Sequence, residues 1–105
     1  MTHYIQVLTT VKHRKEGRKI GRKLVNDKLA ACVQILGPIS SIYEWKSKLE
    51  ETKEWICVIK TRGDLYQKVE AAIKEMHSYE MPEIIAMPIT CGSKDYFDWA
   101  DKSTL

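Results

Sequence analysis

The sequence predicts an α+β fold: a ferredoxin-like split βαβ sandwich whose antiparallel sheet carries two helices on one face. Three observations predict it. Hydrophobic periodicity runs strand, helix, strand, and then repeats that order. Two β runs of about ten residues each stand side by side in the middle of the chain, as the arms of a hairpin do. Two segments of helical spacing each carry a single apolar side, which needs a sheet to cover it.

His3 to Val11 is rich in β-branched and aromatic residues and reads as the first strand. Helical spacing then takes over from His13 to Leu29, with Gly17, Ile20, Gly21, Leu24 and Lys28 on one side and basic residues on the other. Each glycine costs a helix about 1 kcal/mol relative to alanine. Their shared face therefore predicts close approach of this helix to the sheet. Ala30 to Leu36 is a second strand, ended by the Gly37-Pro38 punctuation. Ile39 to Leu49 and Thr52 to Thr61 are the long hairpin arms, with the turn expected near Glu50-Glu51. Gly63-Asp64 offers a turn and a helix N-cap, and Leu65 to His77 forms the second helix with Leu65, Val69, Ala72, Ile73 and Met76 on one face. Pro82 to Thr90 is a further strand, and its prolines, each lacking a ladder donor, assign it to an edge or a bulge. Asp95 to Ala100 is a short terminal helix.

The 105 residues form one domain, 1–105, with 44% apolar and 30% charged residues, as a globular protein has. No run approaches the ~18 apolar residues of a membrane span, so no membrane partner is expected. The N-terminus lacks the layout of a signal peptide, and the three cysteines, Cys32, Cys57 and Cys91, are odd in number and far apart. Both observations predict a reducing, cytoplasmic setting. The net charge of +3 is uneven: Lys12 to Lys28 carries +6 and all other residues together −3.

The stretch richest in chemical groups is His77-Ser78-Tyr79-Glu80-Met81-Pro82-Glu83, where the second helix must stop and a strand begin. A loop between rigid elements can gather binding groups without disturbing a core. The hairpin arms carry Tyr43, Trp45 and Trp55, more aromatic surface than one small helical layer covers. Overhanging arms and a proline-marked edge predict subunits that complete each other's sheets.

Three segments together resemble the CutA family of divalent-cation tolerance proteins. They are Leu29 to Val33; Ser41 to Glu50 with Glu54-Trp55 and Ile59-Lys60-Thr61; and His77 to Ile84. Their order and intervals match along nearly the whole chain, through Asp95 to Trp99. The resemblance implies a homotrimer of ferredoxin-like subunits, similar in architecture to PII signalling proteins, and a role in tolerance to copper and other divalent ions. Two departures stand out. The family has His-Pro-Tyr where this chain has His77-Ser78-Tyr79, and Trp-x-Gly where it has Trp45-Lys46-Ser47. Serine frees the φ that proline fixes, which predicts a less preorganised loop. The copper ligands of an enteric relative align with Thr9, Met76 and His77, of which His77 alone is matched.

Candidate chemistry follows from these residues. His77, near Met76, Glu80 and Glu83, suits copper or another divalent cation, but no C-x-x-C, H-x-x-x-H or His pair accompanies it. Its competing role is that of a helix-terminal histidine facing the dipole and a carboxylate. An inter-subunit pocket drawing on Cys32, Tyr43, Trp45, Lys60, Tyr79, Glu80 and Glu83 is the second candidate. Against it stands packing of Tyr43, Trp45 and Trp55 at the trimer interface, which is expected for Trp55, with Cys32 a small buried hydrophobe. Nucleic acid is disfavoured as a partner of the basic helix, because Lys53 to Lys60 lacks the glycine and paired aromatics of an RNA-recognition strand. No G-x-S-x-G, phosphate loop or H-E-x-x-H is present, so no enzyme is expected and no organic cofactor is implied. The expected function is copper-type divalent cation binding by a homotrimer in metal tolerance. The alternative is a PII-like trimeric module that senses a small ligand without a metal.

Overall fold

The computed structural model describes residues 4–105; His3, read into the first strand, lies outside them. The elements are β1 (Tyr4–Val11), α1 (Arg14–Asn26), β2 (Cys32–Trp45), β3 (Lys48–Arg62), a 3-10 turn (Gly63–Leu65), α2 (Tyr66–Met76), β4 (Ile84–Pro88) and α3 (Lys94–Ser103). The four strands form one antiparallel sheet in the order β2-β3-β1-β4. This is the expected split βαβ plan, with β2 and β4 at opposite edges.

Alternation sorts the sheet into two faces. Val7, Thr9, Val11, Cys57 and Ile59 point to one side, where Ile20 and Leu24 of α1 and Val69 and Ile73 of α2 bury them in a single core. Both helices lie on that face, as their apolar stripes require. The close approach that the glycines predict is found. A Cβ on Gly17 would sit 3.0 Å from the Cys57 Sγ, and one on Gly21 3.1 Å from the Val33 Cγ1. The opposite face carries Leu8, Val58, Leu36, Ile85 and Met87 and is covered only at one end, where Phe97 of α3 stacks on Tyr4 with ring centroids 4.0 Å apart.

α1 stops earlier than its periodicity predicts. Leu29 donates to the Leu24 carbonyl (2.9 Å) and Lys28 to that of Val25 (3.1 Å), with Lys28 at φ 60°. This is a Schellman ending with lysine at the left-handed position that glycine usually fills, so no compositional signal marks it. Asp64 is not the expected cap of α2; it takes the Arg62 guanidinium instead, at 3.0 and 3.3 Å.

The hairpin differs most from expectation. Ala30 to Leu36 and Ile39 to Leu49 are not two strands: from Cys32 they form one, β2, with a register shift between Leu36 and Ile39 where Gly37 and Pro38 bulge out. Gly37 has φ +157°, and a Cβ there would come within 2.5 Å of the Trp55 ring. The indole thus packs over the bulge within its own chain. The turn is at Lys46-Ser47, not Glu50-Glu51, with φ values of 52° and 68° and Trp45 opposite Lys48. Positive φ at both central residues makes it type I′, a turn ordinarily signalled by Asn-Gly. Lysine and serine hide it. Moving the turn leaves both arms longer than read. Beyond Val11↔Trp55, where β1 ends, the hairpin projects alone and draws the subunit out to 45 Å by 25 Å by 22 Å.

Candidate functional site

The loop from His77 to Glu83 closes the gap between α2 and β4 and lies against the root of the projecting hairpin. Three hydrogen-bond systems hold it. The His77 ring is fully buried; its Nε2 lies 2.8 Å from the Thr10 carbonyl, and its Nδ1 accepts the Tyr79 backbone N–H at 3.1 Å. A carbonyl only accepts and an amide N–H only donates, so the tautomer with its proton on Nε2 satisfies both contacts. Glu16 of α1 accepts the Ser78 N–H at 2.8 Å on one oxygen and the Ser78 hydroxyl at 3.1 Å on the other. The Tyr79 hydroxyl donates to Glu54 Oε2 at 2.6 Å. Burial and the Glu54 carboxylate together push the Tyr79 phenol well above its usual range, so it remains a donor.

The predicted looseness at Ser78 is therefore offset. A proline there would have no N–H for Glu16, whereas serine gives that carboxylate two donors.

Between this loop and the hairpin lies a cleft of about 650 Å³. Of the seven residues expected to share one pocket, five line it: Tyr43, Trp45, Tyr79, Glu80 and Glu83. The other two do not reach it within one chain. Cys32 and Lys60 are paired across β2 and β3, with the Lys60 ammonium donating to Gln34 at 2.7 Å. They lie six residues along β3 from Glu54, about 20 Å at the strand rise. Cys32 is half-buried rather than enclosed. Tyr43 contacts the Thr52 hydroxyl at 3.4 Å.

Sequence reasoning missed Glu16 and Glu54 as members of the site. Glu54 is 5% exposed on a strand whose alternation carries it to the cleft side. A carboxylate at an inward strand position was the available signal. Glu16 gave none, because its partner is 62 residues away.

A copper-type ion does not fit this loop as one chain builds it. Both ring nitrogens of His77 are spent on the backbone, and Met76 packs against the core. Thr9 is buried opposite Cys57 with an unpartnered hydroxyl, a poor ligand beside a thiol that burial raises to a pKa of about 11. Among the described residues no three His, Cys, Asp or Glu side chains converge to hold a metal. No described helix is long and apolar enough to cross a membrane.

Comparison with known proteins gives this arrangement relatives. Residues 5–103 match the family model described as CutA1 divalent ion tolerance protein. A chloroplastic CutA protein of Arabidopsis thaliana is 42% identical over 100 residues, 95% of this chain and 55% of that protein, so the chain spans little more than half of that relative. The divalent-cation tolerance protein CutA of Thermus thermophilus is 38% identical over 93% of this chain and 95% of its own length. The crystal structure of CutA1 from Oryza sativa superposes with a TM-score of 0.96 at 36% identity, covering 99% of this chain and 95% of that one. Sheet order, projecting hairpin and the His77–Glu83 loop thus sit in a frame matched almost end to end, and the chain belongs to the CutA1 divalent ion tolerance family.

Proposed function

We propose that this protein acts in divalent-cation tolerance as a homotrimer that binds such cations, copper-type ions among them. The observation that carries the assembly is apolar surface the chain leaves uncovered. Leu36, Ile85 and Met87 on the open sheet face and Ile42 and Leu49 on the projecting hairpin are all exposed, Leu49 at 79%. Exposed apolar side chains on both sides of the sheet call for a partner. The edges β2 and β4 carry unpaired ladder groups on opposite sides of the sheet. One copy's β2 facing the next copy's β4 is a heterologous contact, which closes into a ring when the rotation allows.

The cation is proposed to bind where two copies meet beside the 77–83 loop, with His77 its candidate ligand. A binding rather than catalytic role in the cytoplasm belongs to the same reading, supported by three free cysteines, Cys32, Cys57 and Cys91. Light scattering is expected to give three times the 12.2 kDa chain mass. Calorimetry with copper(II) chloride is expected to show saturable binding that magnesium chloride does not reproduce. A 12.2 kDa species at micromolar concentration defeats the trimer, and equal weak heats from both salts defeat the copper assignment.

A further inference from the structure

The geometry points to the cleft between the hairpin and the 77–83 loop as a site for a linear organic polycation, a molecule with protonated amines joined by alkyl segments. This goes beyond the role in metal tolerance and does not rest on it. Its floor is Glu54, a carboxylate 5% exposed. One oxygen, Oε2, accepts the Tyr79 hydroxyl at 2.6 Å. Neither oxygen has a cationic partner among the described residues, and Oε1 has no donor there. A largely buried carboxylate that no ion pair offsets favours a cation at its open edge.

The rim adds two more carboxylates, Glu80 and Glu83, both exposed, and the walls between floor and rim are the rings of Tyr43 and Trp45. Negative charge at two depths with aromatic faces between them matches a cation that alternates ammonium and methylene groups. The Trp45 indole already receives one ammonium of this chain: the Lys46 Nζ lies 5.8 Å from its ring centroid. A second hollow that shares Tyr43 and Tyr79 is lined by Lys12, His13 and Lys53, whose charge makes the Glu54 side the more favourable one for a cation. A divalent metal is the poorer occupant, since no three ligating side chains converge among the described residues and a compact ion uses neither aromatic wall.

Spermidine is the probe. Calorimetry on the full chain in its assembled form at low salt is expected to show saturable binding, weakened by added sodium chloride. Glu54→Gln keeps an oxygen for the Tyr79 hydroxyl and removes the charge; it is expected to weaken spermidine about tenfold, as loss of a charge-assisted hydrogen bond does. Trp45→Leu is expected to weaken it by a smaller factor. Circular dichroism and light scattering confirm that both variants keep fold and assembly, and any variant that loses them is replaced by Glu83→Gln. Absence of spermidine heat at low salt overturns the proposal, including the case in which a second copy fills the cleft. So does unchanged affinity in Glu54→Gln. Stoichiometric displacement of spermidine by copper(II) at constant ionic strength would reassign the cleft to metal.

Discussion

Glu16 holds Ser78 at two points, the backbone N–H at 2.8 Å and the hydroxyl at 3.1 Å, and so ties the first turn of α1 to the loop after α2. The carboxylate also sits near the N-terminus of its own helix, where the dipole favours negative charge. One side chain thereby connects the basic helix to the cleft.

Glu16→Ala removes both bonds. The expected cost is about 2 kcal/mol, since charge-assisted bonds to a partly buried carboxylate are worth more than neutral ones. Urea unfolding measures that loss. Hydrogen exchange at the Ser78 and Tyr79 amides is expected to accelerate far more than exchange in β3, whereas uniform acceleration would deny the loop its specific tie.

Replacing His77 tests its structural role. His77→Ala leaves the Thr10 carbonyl and the Tyr79 N–H without partners and opens a cavity beside them, for an expected loss of about 3 kcal/mol. A variant as stable as the parent would mean that the buried ring contributes nothing to the fold.

The helix glycines separate propensity from packing. Alanine gains about 1 kcal/mol in a helix. At Gly17 its Cβ would press on Cys57 and Val11, both fully buried, at 3.0 and 3.3 Å. Overpacking of a closed core costs about 1–3 kcal/mol, so Gly17→Ala is expected to lower Tm. Gly21→Ala meets Val33, which is only half-buried and can shift, and is expected to change Tm less.

Two positions invite stabilisation. Lys28 and Ser47 hold φ values of 60° and 68°, and glycine adopts these without the Cβ penalty of about 1 kcal/mol. Lys28→Gly and Ser47→Gly are each expected to raise stability by about 0.5 kcal/mol, the gain reduced by glycine's freedom in the unfolded chain. Thermal melts of the single and double variants check both sign and additivity.

Cys57 gives the pH dependence. Burial, with Glu16 nearby, raises its thiol from 9.0 to about 11 in the folded state. A pKa raised by folding means that the native state holds the proton more tightly. Its contribution is therefore fully present below pH 9 and declines as pH climbs through 9 towards 11. Denaturation midpoints are expected to fall in that window, and less so in Cys57→Ala. At pH 8 Ellman's reagent is expected to label exposed Cys91 quickly and Cys57 only on unfolding.

The fold was legible because its elements announce themselves locally. Alternation in β1 and β3, the Gly17–Leu24 stripe and the prolines before and at the end of β4 each need only a few neighbouring residues to read. Errors fell where an unusual residue does a common job: lysine at a Schellman position, Lys46-Ser47 in a type I′ turn, Gly37-Pro38 as a bulge inside a strand rather than its end. The site was half legible. Tyr43, Trp45, Tyr79, Glu80 and Glu83 were named from residue type and meet in one cleft. Cys32 and Lys60, expected with them in an inter-subunit pocket, lie about 20 Å along β3 from Glu54 within one chain, and spacing along a strand does not report which end of the sheet it reaches. Glu16 and Glu54 stayed hidden because each acts through a partner far away in sequence.

The three ties of the 77–83 loop also say when it can form. They join Ser78 to Glu16 across 62 residues, His77 to Thr10 across 67 and Tyr79 to Glu54 across 25. Apart from the Tyr79 N–H on the His77 ring, these ties wait until β1, α1 and β3 are in place, and closing such long spans carries its entropy cost first. Its order is thus a late product of folding, and in a weakened variant it is the part that loosens while the core still stands. Failure of the cleft would then precede unfolding of the domain, and a protein whose cleft has come apart would still look native by its secondary structure.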